Sequence, residues 1–130
     1  MSGAEKIIET VKFNDDGLVP AIVQDSKTNE VLMMAWMNAD ALRESINNNR
    51  MYYFSRSRNR LWKKGETSGQ IQKIIELRLD CDNDTILAIV EQEGVACHTG
   101  RKSCFFKTVD NDNIKINQDV VTPPEELYNE

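Results

Sequence analysis

The cysteines are the residues of this chain best suited to hold a zinc ion, because a thiolate is one of zinc's preferred ligands. Cys97 and Cys104 bracket the segment HTGRKS, and a fully extended chain would separate their sulfurs by about 23 Å. Gly100 provides a turning point that would bring the two thiols together. Cys81 could supply a third thiolate, which leaves one zinc position for water, as in catalytic sites. Alternatively, small cysteines simply fill the core, since their spacing is not that of a zinc finger.

His98, the one histidine of the chain, follows directly on Cys97. Beside a zinc thiolate it could serve as a fourth ligand or carry a proton to and from the bound water. A structural role is the alternative for a lone histidine. The zinc deaminase pattern is absent, because His98 is followed by Thr99 and Gly100 and the chain has no CxxC.

A second group of possible metal ligands is acidic: Asp80, Asp82 and Asp84 alternate along one short segment. If this segment extends the preceding strand, the three carboxylates share one face and Cys81 points to the other. Clustered carboxylates repel one another unless a hard cation or basic groups compensate, and magnesium accepts oxygen ligands. A calcium-binding loop is excluded because Thr85 stands where that motif requires glycine. A solvated acidic turn is the alternative.

The segment from 55 to 69, SRSRNRLWKKGETSG, concentrates five positive charges in a protein whose net charge is -5. Arginines, hydroxyls and glycine-exposed amides suit phosphate binding, and a tryptophan offers a face on which a base can stack. A solvated charged loop is the alternative. The predicted substrate-binding residues are Arg56, Arg58, Arg60, Trp62, Lys64, Thr67 and Ser68.

The elements that must position these residues are mainly strands. Runs rich in apolar or β-branched residues predict strands at 18–24, 31–37, 51–54, 71–79, 85–90 and 104–109. Asn38 is a predicted N-cap for one central helix that fades at Asn47 to Asn49. The segment 55–69 is predicted to be a long loop, and 110–130 a polar tail with one short helical turn. The class is therefore α+β, a strand-rich single domain over 1–130.

Composition excludes several classes of protein. The 130 residues suit one domain, and the acidic balance argues against a general nucleic-acid binder. The longest apolar stretch, Val31 to Met37, is too short to cross a bilayer, and the N-terminus lacks the apolar core of a secretory signal. An odd number of cysteines excludes a fully paired disulfide framework. Reduced thiols in the cytoplasm are therefore expected.

Taken together, these segments resemble the phosphoribosyl-AMP cyclohydrolase family, over about Leu18 to Phe106. The motifs that carry the resemblance are VLMMAWMNADAL (31–42), SRSRNRLWKKGETSG (55–69), DCDND (80–84) and ACHTGRKSCFF (96–106). That family hydrolyses the N1–C6 bond in the adenine ring of N1-(5-phosphoribosyl)-AMP, the third step of histidine biosynthesis. The implied mechanism has zinc-activated water attack C6 while His98 takes or relays a proton. Glu66 is a candidate for protonating the departing nitrogen.

The resemblance further implies two kinds of metal site and a dimer. Zn²⁺ would be bound by Cys81, Cys97 and Cys104, and Mg²⁺ by the three aspartates at 80, 82 and 84. The implied homodimer, formed through sheets and loops, completes each zinc site with cysteines from both subunits. Some bacterial relatives carry a C-terminal pyrophosphohydrolase domain, and a single activity is expected here.

One residue departs from the family pattern, and two other classes of function remain. Gln70 stands after TSG where a histidine is expected; it can form hydrogen bonds but cannot titrate. One rival class is a non-catalytic interaction module in which zinc clamps a dimer, which predicts a four-ligand site without water. The other is a different nucleotide-ring hydrolase or deaminase, which predicts release of ammonia from AMP-like substrates.

Overall fold

A computed structural model describes residues 3–66 and 68–128 of the chain, a strand-rich α+β structure as predicted. Its elements in chain order are α1 (Gly3–Thr10), β1 (Val19–Asp25), β2 (Val31–Met37), α2 (Ala39–Asn48), β3 (Tyr52–Ser55), β4 (Arg60–Lys63), β5 (Gln72–Leu79), β6 (Ile86–Gln92), β7 (Lys107–Asp110), β8 (Asn113–Ile116) and α3 (Pro124–Tyr128). Among these residues, no helix is long and apolar enough to cross a membrane.

Four of the strands form one mixed sheet in the order β2-β1-β6-β5. The two outer pairs are antiparallel, whereas the central strands β1 and β6 run parallel, with Ala21 opposite Ile86 and Val23 opposite Ala88. These four side chains are fully or almost fully buried. Alternate residues of both central strands point to the same face, so they form the centre of the core.

Helix α2 covers this core, and its ends are defined by two asparagines. The Asn38 side chain accepts a 2.8 Å hydrogen bond from the backbone amide of Ala41, which confirms the predicted N-cap. Asn49 ends the helix in the left-handed conformation, with a φ of 55° that asparagine tolerates. Between them, Leu42 is completely buried and contributes to the core.

The prediction of a long loop over 55–69 was wrong, because β4 lies within it and pairs with β3. Tyr53 stands opposite Trp62, and their ring centroids are 5.1 Å apart. Tyr53 is completely buried, so the strand is held by aromatic packing. Periodicity in the sequence is weak here because Trp62 packs against the core while Leu61 is exposed and both ends of the strand are basic.

Residues after Cys104 also differ from the prediction. The expected strand at 104–109 begins only at Lys107, and a further strand, β8, turns the start of the expected polar tail into a hairpin. The expected helical turn is α3. In the hairpin Val109 is opposite Ile114, and Ile116 lies on the same face two residues on. These three side chains are 76%, 68% and 57% exposed, so the hairpin carries an uncovered apolar face.

Helix α1 was not predicted from the sequence. Its Ala4 is buried, and Glu5 accepts a 2.5 Å hydrogen bond from the guanidinium of Arg43 in α2. Arg43 also pairs with Asp40 at 2.6 Å. The helix is only eight residues long, and such short helices depend on tertiary contacts more than on local sequence.

Candidate functional site

A basic cleft of about 500 Å³ opens beside the β3–β4 hairpin. Its volume falls in the range of small-molecule sites. The predicted site residues that line it are Arg58, Arg60, Trp62, Lys64, Glu66, Ser68 and His98. Ser55, Lys63 and Gly65 line it too and are not among the site residues predicted from the sequence. The structure therefore brings most of the basic motif and the single histidine together around one cavity.

Arg56 is a predicted substrate-binding residue that is not among the residues lining this cleft. Arg56 lies with its guanidinium carbon 5.0 Å from the ring centroid of Trp36, the geometry of a cation–π contact. Trp36 borders a second cleft of about 470 Å³ with Asp82 and Asp84. Thr67 lies outside the described residues, so its predicted role stays a prediction.

Lys64 differs from the other cations of the cleft because it is buried, with only 8% of its surface exposed. Its Nζ atom donates a 2.8 Å hydrogen bond to the carbonyl oxygen of Ala96. Burial lowers the pKa of Lys64 below its ordinary value, while the neighbouring Cys104 and Cys97 oppose that shift. The ammonium group is thus held next to the two thiols.

Cys97 and Cys104 lie together, as the turn at Gly100 predicted. The amide of Gly100 bonds to the Cys97 carbonyl at 2.9 Å, and Gly100 has a φ of 88°. A β-carbon there would lie 1.8 Å from the carbonyl oxygen of Thr122, so only glycine fits. Cys104 is an exposed residue, but partial burial of its thiol raises the pKa from 9.0 to about 12, and repulsion and a hydrogen-bonding contact from Cys97 add to this. A thiol whose ionisation is opposed by burial and by a neighbouring thiol is a group that a bound cation would stabilise in its ionised form.

Cys81 is not part of this pair within one chain. It is an exposed residue in the turn after β5, whereas Cys97 is 4% exposed. Within residues 3–66 and 68–128, three His, Cys, Asp or Glu ligand atoms come within 4.8 Å of one another at only one place, the aspartate cluster. Among these described residues, the cysteine pair therefore lacks a third ligand of these types.

The aspartates at 80, 82 and 84 converge as predicted, but not because a strand continues. The segment is a tight turn in which Asn83 has a φ of 63°, and the Asp80 carboxylate accepts a 3.0 Å bond from the amide of Asp84. The turn, and not the alternation of a strand, brings the three carboxylates together. They are fully exposed, the position from which a hydrated hard cation can be bound.

The carboxylates of this turn influence one another. A hydrogen bond with Asp80 raises the pKa of Asp84, and burial and the negative charges of Asp80 and Asp82 act in the same direction. The pKa of Asp80 is lowered; burial opposes this, but backbone amides of the turn, those of Asp84 and Thr85 among them, prevail. Such a group holds excess negative charge that magnesium would neutralise.

Gln70, the departure from the expected histidine, joins two segments of the site. Its Oε1 atom accepts a 2.8 Å bond from the amide of Val95, and its Nε2 atom donates at 3.1 Å to the carbonyl of Ser68. Val95 lies two residues before Cys97. The amide side chain of Gln70 thus links Ser68, at the rim of the cleft, to the segment after β6 that leads to Cys97.

Comparison with known proteins identifies the family of this chain. A family model described as phosphoribosyl-AMP cyclohydrolase matches residues 33–106. A protein of that name from Rhodospirillum centenum is 52% identical over 124 residues, which cover 95% of this chain and 93% of the relative. One from Granulibacter bethesdensis is 58% identical over 106 residues, covering 82% and 83%. One from Halorhodospira halophila is 51% identical over 122 residues, covering 94% and 86%.

The chain belongs to the phosphoribosyl-AMP cyclohydrolase family. The resemblance inferred from the motifs is thereby confirmed, and with it the class of enzyme, a hydrolase of histidine biosynthesis. The cyclohydrolase match runs from Met33 in β2 to Phe106. It includes the basic cleft, the cysteine pair, Cys81 and the aspartate turn.

Proposed function

We propose that this protein hydrolyses the N1–C6 bond of N1-(5-phosphoribosyl)-AMP and opens its adenine ring. The observation that carries the proposal is the position of His98, which borders the basic cleft and directly follows one cysteine of the thiol pair. A phosphorylated purine needs cations for its phosphates, a flat apolar surface for its ring and a nearby group that transfers protons. The cleft offers all three within one family-matched segment.

The substrate has a natural orientation in this cleft. Arg58 and Arg60 are exposed cations at its rim, suited to the two phosphates, and Ser68 with Thr67 would add hydroxyl donors. Trp62 provides a partly exposed ring on which the purine can stack, as bases do on aromatic side chains. In this orientation the electrophilic C6 atom would lie towards His98, the residue that follows Cys97. Because N1 carries the ribose, the purine is cationic and C6 is open to attack by water.

Zinc fits the cysteine pair, because two adjacent thiols form a typical soft-metal donor set. When bound, a zinc ion supplies the acidity that makes water a nucleophile at neutral pH. His98 would accept or relay the proton of that water, and Glu66 would donate a proton to the departing N1. Both side chains are exposed at the cleft, so both can reach a bound nucleotide. Magnesium at the aspartate turn would hold a substrate phosphate together with Arg56.

We further propose that the working enzyme is a cytoplasmic homodimer in which Cys81 of one subunit completes the Cys97–Cys104 pair of the other. Support comes from the separation of Cys81 within one chain and from the uncovered apolar face of the β7–β8 hairpin. A lone two-stranded hairpin is marginally stable in water, so this face needs a cover. An apolar groove of about 420 Å³ beside β5 offers one, and its lining includes Leu79, two residues before Cys81. Ile7, Ile75 and Leu77 are among its lining residues.

Spectrophotometric turnover of phosphoribosyl-AMP by the purified protein, before and after chelation and with zinc restored, tests the catalytic proposal. We expect activity that disappears on chelation and returns with zinc. A folded, zinc-loaded protein that is inactive on phosphoribosyl-AMP and releases ammonia from AMP would overturn it in favour of a deaminase. A four-ligand zinc site without turnover would favour an interaction module.

Complementation between two inactive variants tests the shared site. Cys81→Ser and Cys97→Ser are each expected to be inactive. After the two are unfolded, mixed and refolded, a mixed dimer regains one intact site if ligands come from both subunits. Random pairing would then restore about a quarter of wild-type activity. No recovery, with mixed dimers verified by mass spectrometry, would place all three cysteines in one chain and reject the shared site.

A further inference from the structure

We propose that Gln70 is a positioning residue that holds the backbone before Cys97. Its uncharged side chain bridges two backbone groups, accepting a hydrogen bond from one and donating a hydrogen bond to the other. The inference rests on the proposed function only for its consequence in catalysis. The glutamine amide does not titrate, so this residue acts through hydrogen bonds alone.

The bridge uses both polar atoms of the amide. On one side, Oε1 accepts the amide hydrogen of Val95; on the other, Nε2 donates to the Ser68 carbonyl. The hydroxyl of Ser68 in turn accepts a 3.2 Å bond from the backbone amide of Gln70. Val95 is only 2% exposed, so its amide has little access to water and depends on this acceptor.

The surrounding chain is shaped to admit this side chain. A β-carbon at Gly94 would lie 1.6 Å from Oε1 of Gln70, and Gly94 also has a φ of 68°. The glycine therefore makes room for the amide group as well as for the turn. Gln92 supports the same corner, since its Nε2 atom donates at 2.8 Å to the carbonyl of Glu93 and lies 3.3 Å from the carbonyl of Gln70.

The side chains of Gln70 and Lys64 thus hold the backbone of two consecutive residues. Gln70 binds the amide of Val95, and Lys64 binds the carbonyl of Ala96, the residue immediately before Cys97. With both groups fixed, the direction in which the Cys97 side chain leaves the backbone is also fixed. The same two bonds set the distance between the cysteines and the cleft rim at Glu66 and Ser68.

A neutral imidazole can make the same bridge. It has one acceptor and one donor nitrogen, and its Nε2 atom is as many bonds from the β-carbon as the glutamine oxygen. We therefore infer that position 70 requires hydrogen-bonding capacity and not proton transfer. If position 70 requires only hydrogen bonds, Gln70→His is a conservative change in the native protein.

Three variants of the full chain test the bridge: Gln70→Leu removes both polar atoms, Gln70→Glu keeps the acceptor, and Gln70→His keeps both functions. We expect Gln70→Leu to speed hydrogen exchange at the Val95 amide and to weaken zinc binding, each by about tenfold. Its kcat should fall by a similar factor with KM little changed. Gln70→Glu should retain protection of Val95, and Gln70→His should restore kcat to within about threefold at pH 8.

Gln24→Leu is the matched control, since it removes an amide that donates to the Asn29 carbonyl, in the exposed β1–β2 hairpin. It should change none of these quantities. Two results would overturn the inference: unchanged Val95 exchange and zinc affinity in Gln70→Leu, or a kcat that rises about tenfold in Gln70→His, which would indicate a missing proton carrier. If Gln70→Leu does not fold, loss of Val95 protection in Gln70→Glu would also reject the bridge. Exchange and zinc affinity are measured without substrate, so they test the bridge even if the wild-type protein turns over no phosphoribosyl-AMP.

Discussion

The buried ammonium of Lys64 donates a 2.8 Å hydrogen bond to the carbonyl of Ala96, and this places a positive charge beside Cys97 and Cys104. A buried lysine without a partner is costly, so the position indicates compensation by neighbouring negative charge. Thiolates bound to zinc would supply that charge. Lys64 is therefore well placed to stabilise the metal-binding pair.

Replacing Lys64 should weaken zinc binding while leaving the stability of the metal-free protein nearly unchanged. We expect Lys64→Met to weaken zinc binding by about tenfold, because the thiolates lose their nearest cation. The free energy of unfolding of the metal-free protein should change by less than about 1 kcal/mol, since removing a buried charge offsets the lost hydrogen bond. Competition with a chromophoric chelator and urea unfolding measure the two quantities. Lys63→Met is the control, and equal loss of zinc affinity in both variants would contradict the special role of Lys64.

The raised pKa of Cys104, about 12, makes zinc binding dependent on pH. This thiol is protonated at neutral pH in the metal-free protein and must lose its proton when zinc binds. Zinc affinity should therefore rise between pH 6 and 8, as measured by competition with a chelator whose own pH dependence is known. Proton release measured in buffers of different ionisation enthalpy gives an independent check. A zinc affinity that does not change over this range would contradict the assignment.

The same thiol should weaken the metal-free fold at high pH. Because its pKa is higher in the folded than in the unfolded chain, its contribution to stability is fully present below pH 9 and is lost as the pH rises from 9 towards 12. Urea unfolding from pH 8 to 11 should show stability declining in the wild type. In Cys104→Ser the decline should be shallower, and identical slopes would show that other groups cause it.

How much the sequence could reveal depended on the range of the interactions. The N-cap at Asn38 and the turn at Gly100 were predictable because each is decided by a few neighbouring residues. The aspartates converge as predicted, but through a turn containing Asn83 instead of a strand, since both arrangements bring alternate residues together. Strand β4 was missed because its burial depends on Tyr53 across the hairpin. The metal ligands and their shared site remain predictions.

The aspartate turn should bind magnesium through its exposed carboxylates. We expect Mg²⁺ to raise the melting temperature of the wild-type protein and to leave that of Asp84→Asn nearly unchanged, because one ligand is lost. Without Mg²⁺, Asp84→Asn should be at least as stable as the wild type, since its neighbours repel the native carboxylate. Asp112→Asn, an exposed turn substitution elsewhere, is the control. A full magnesium response in Asp84→Asn would rule out this site.

The buried hydroxyl of Tyr53 donates to Oε1 of Gln72, whose amide nitrogen also donates at 2.8 Å to Gln92. Tyr53→Phe leaves that oxygen buried without its donor, which should cost about 1–3 kcal/mol of unfolding free energy. Tyr52→Phe, on the neighbouring and less buried residue, is the control. Denaturant unfolding of both variants measures the difference, and equal effects would mean that the Gln72 contact contributes nothing specific.

The parallel pairing of β1 with β6 has a consequence for synthesis on the ribosome. Strand β1 is complete at Asp25, but its parallel partner β6 ends only at Gln92. The four-stranded sheet therefore cannot form until most of the chain has been synthesised. At a synthesis rate of about 5–20 residues per second, the edge of β1 that pairs with β6 stays unpaired for several seconds. If the ribosome stalls before β6 has been made, the nascent chain should therefore aggregate or recruit a chaperone. Nascent chains that include Gln92 can bury their core.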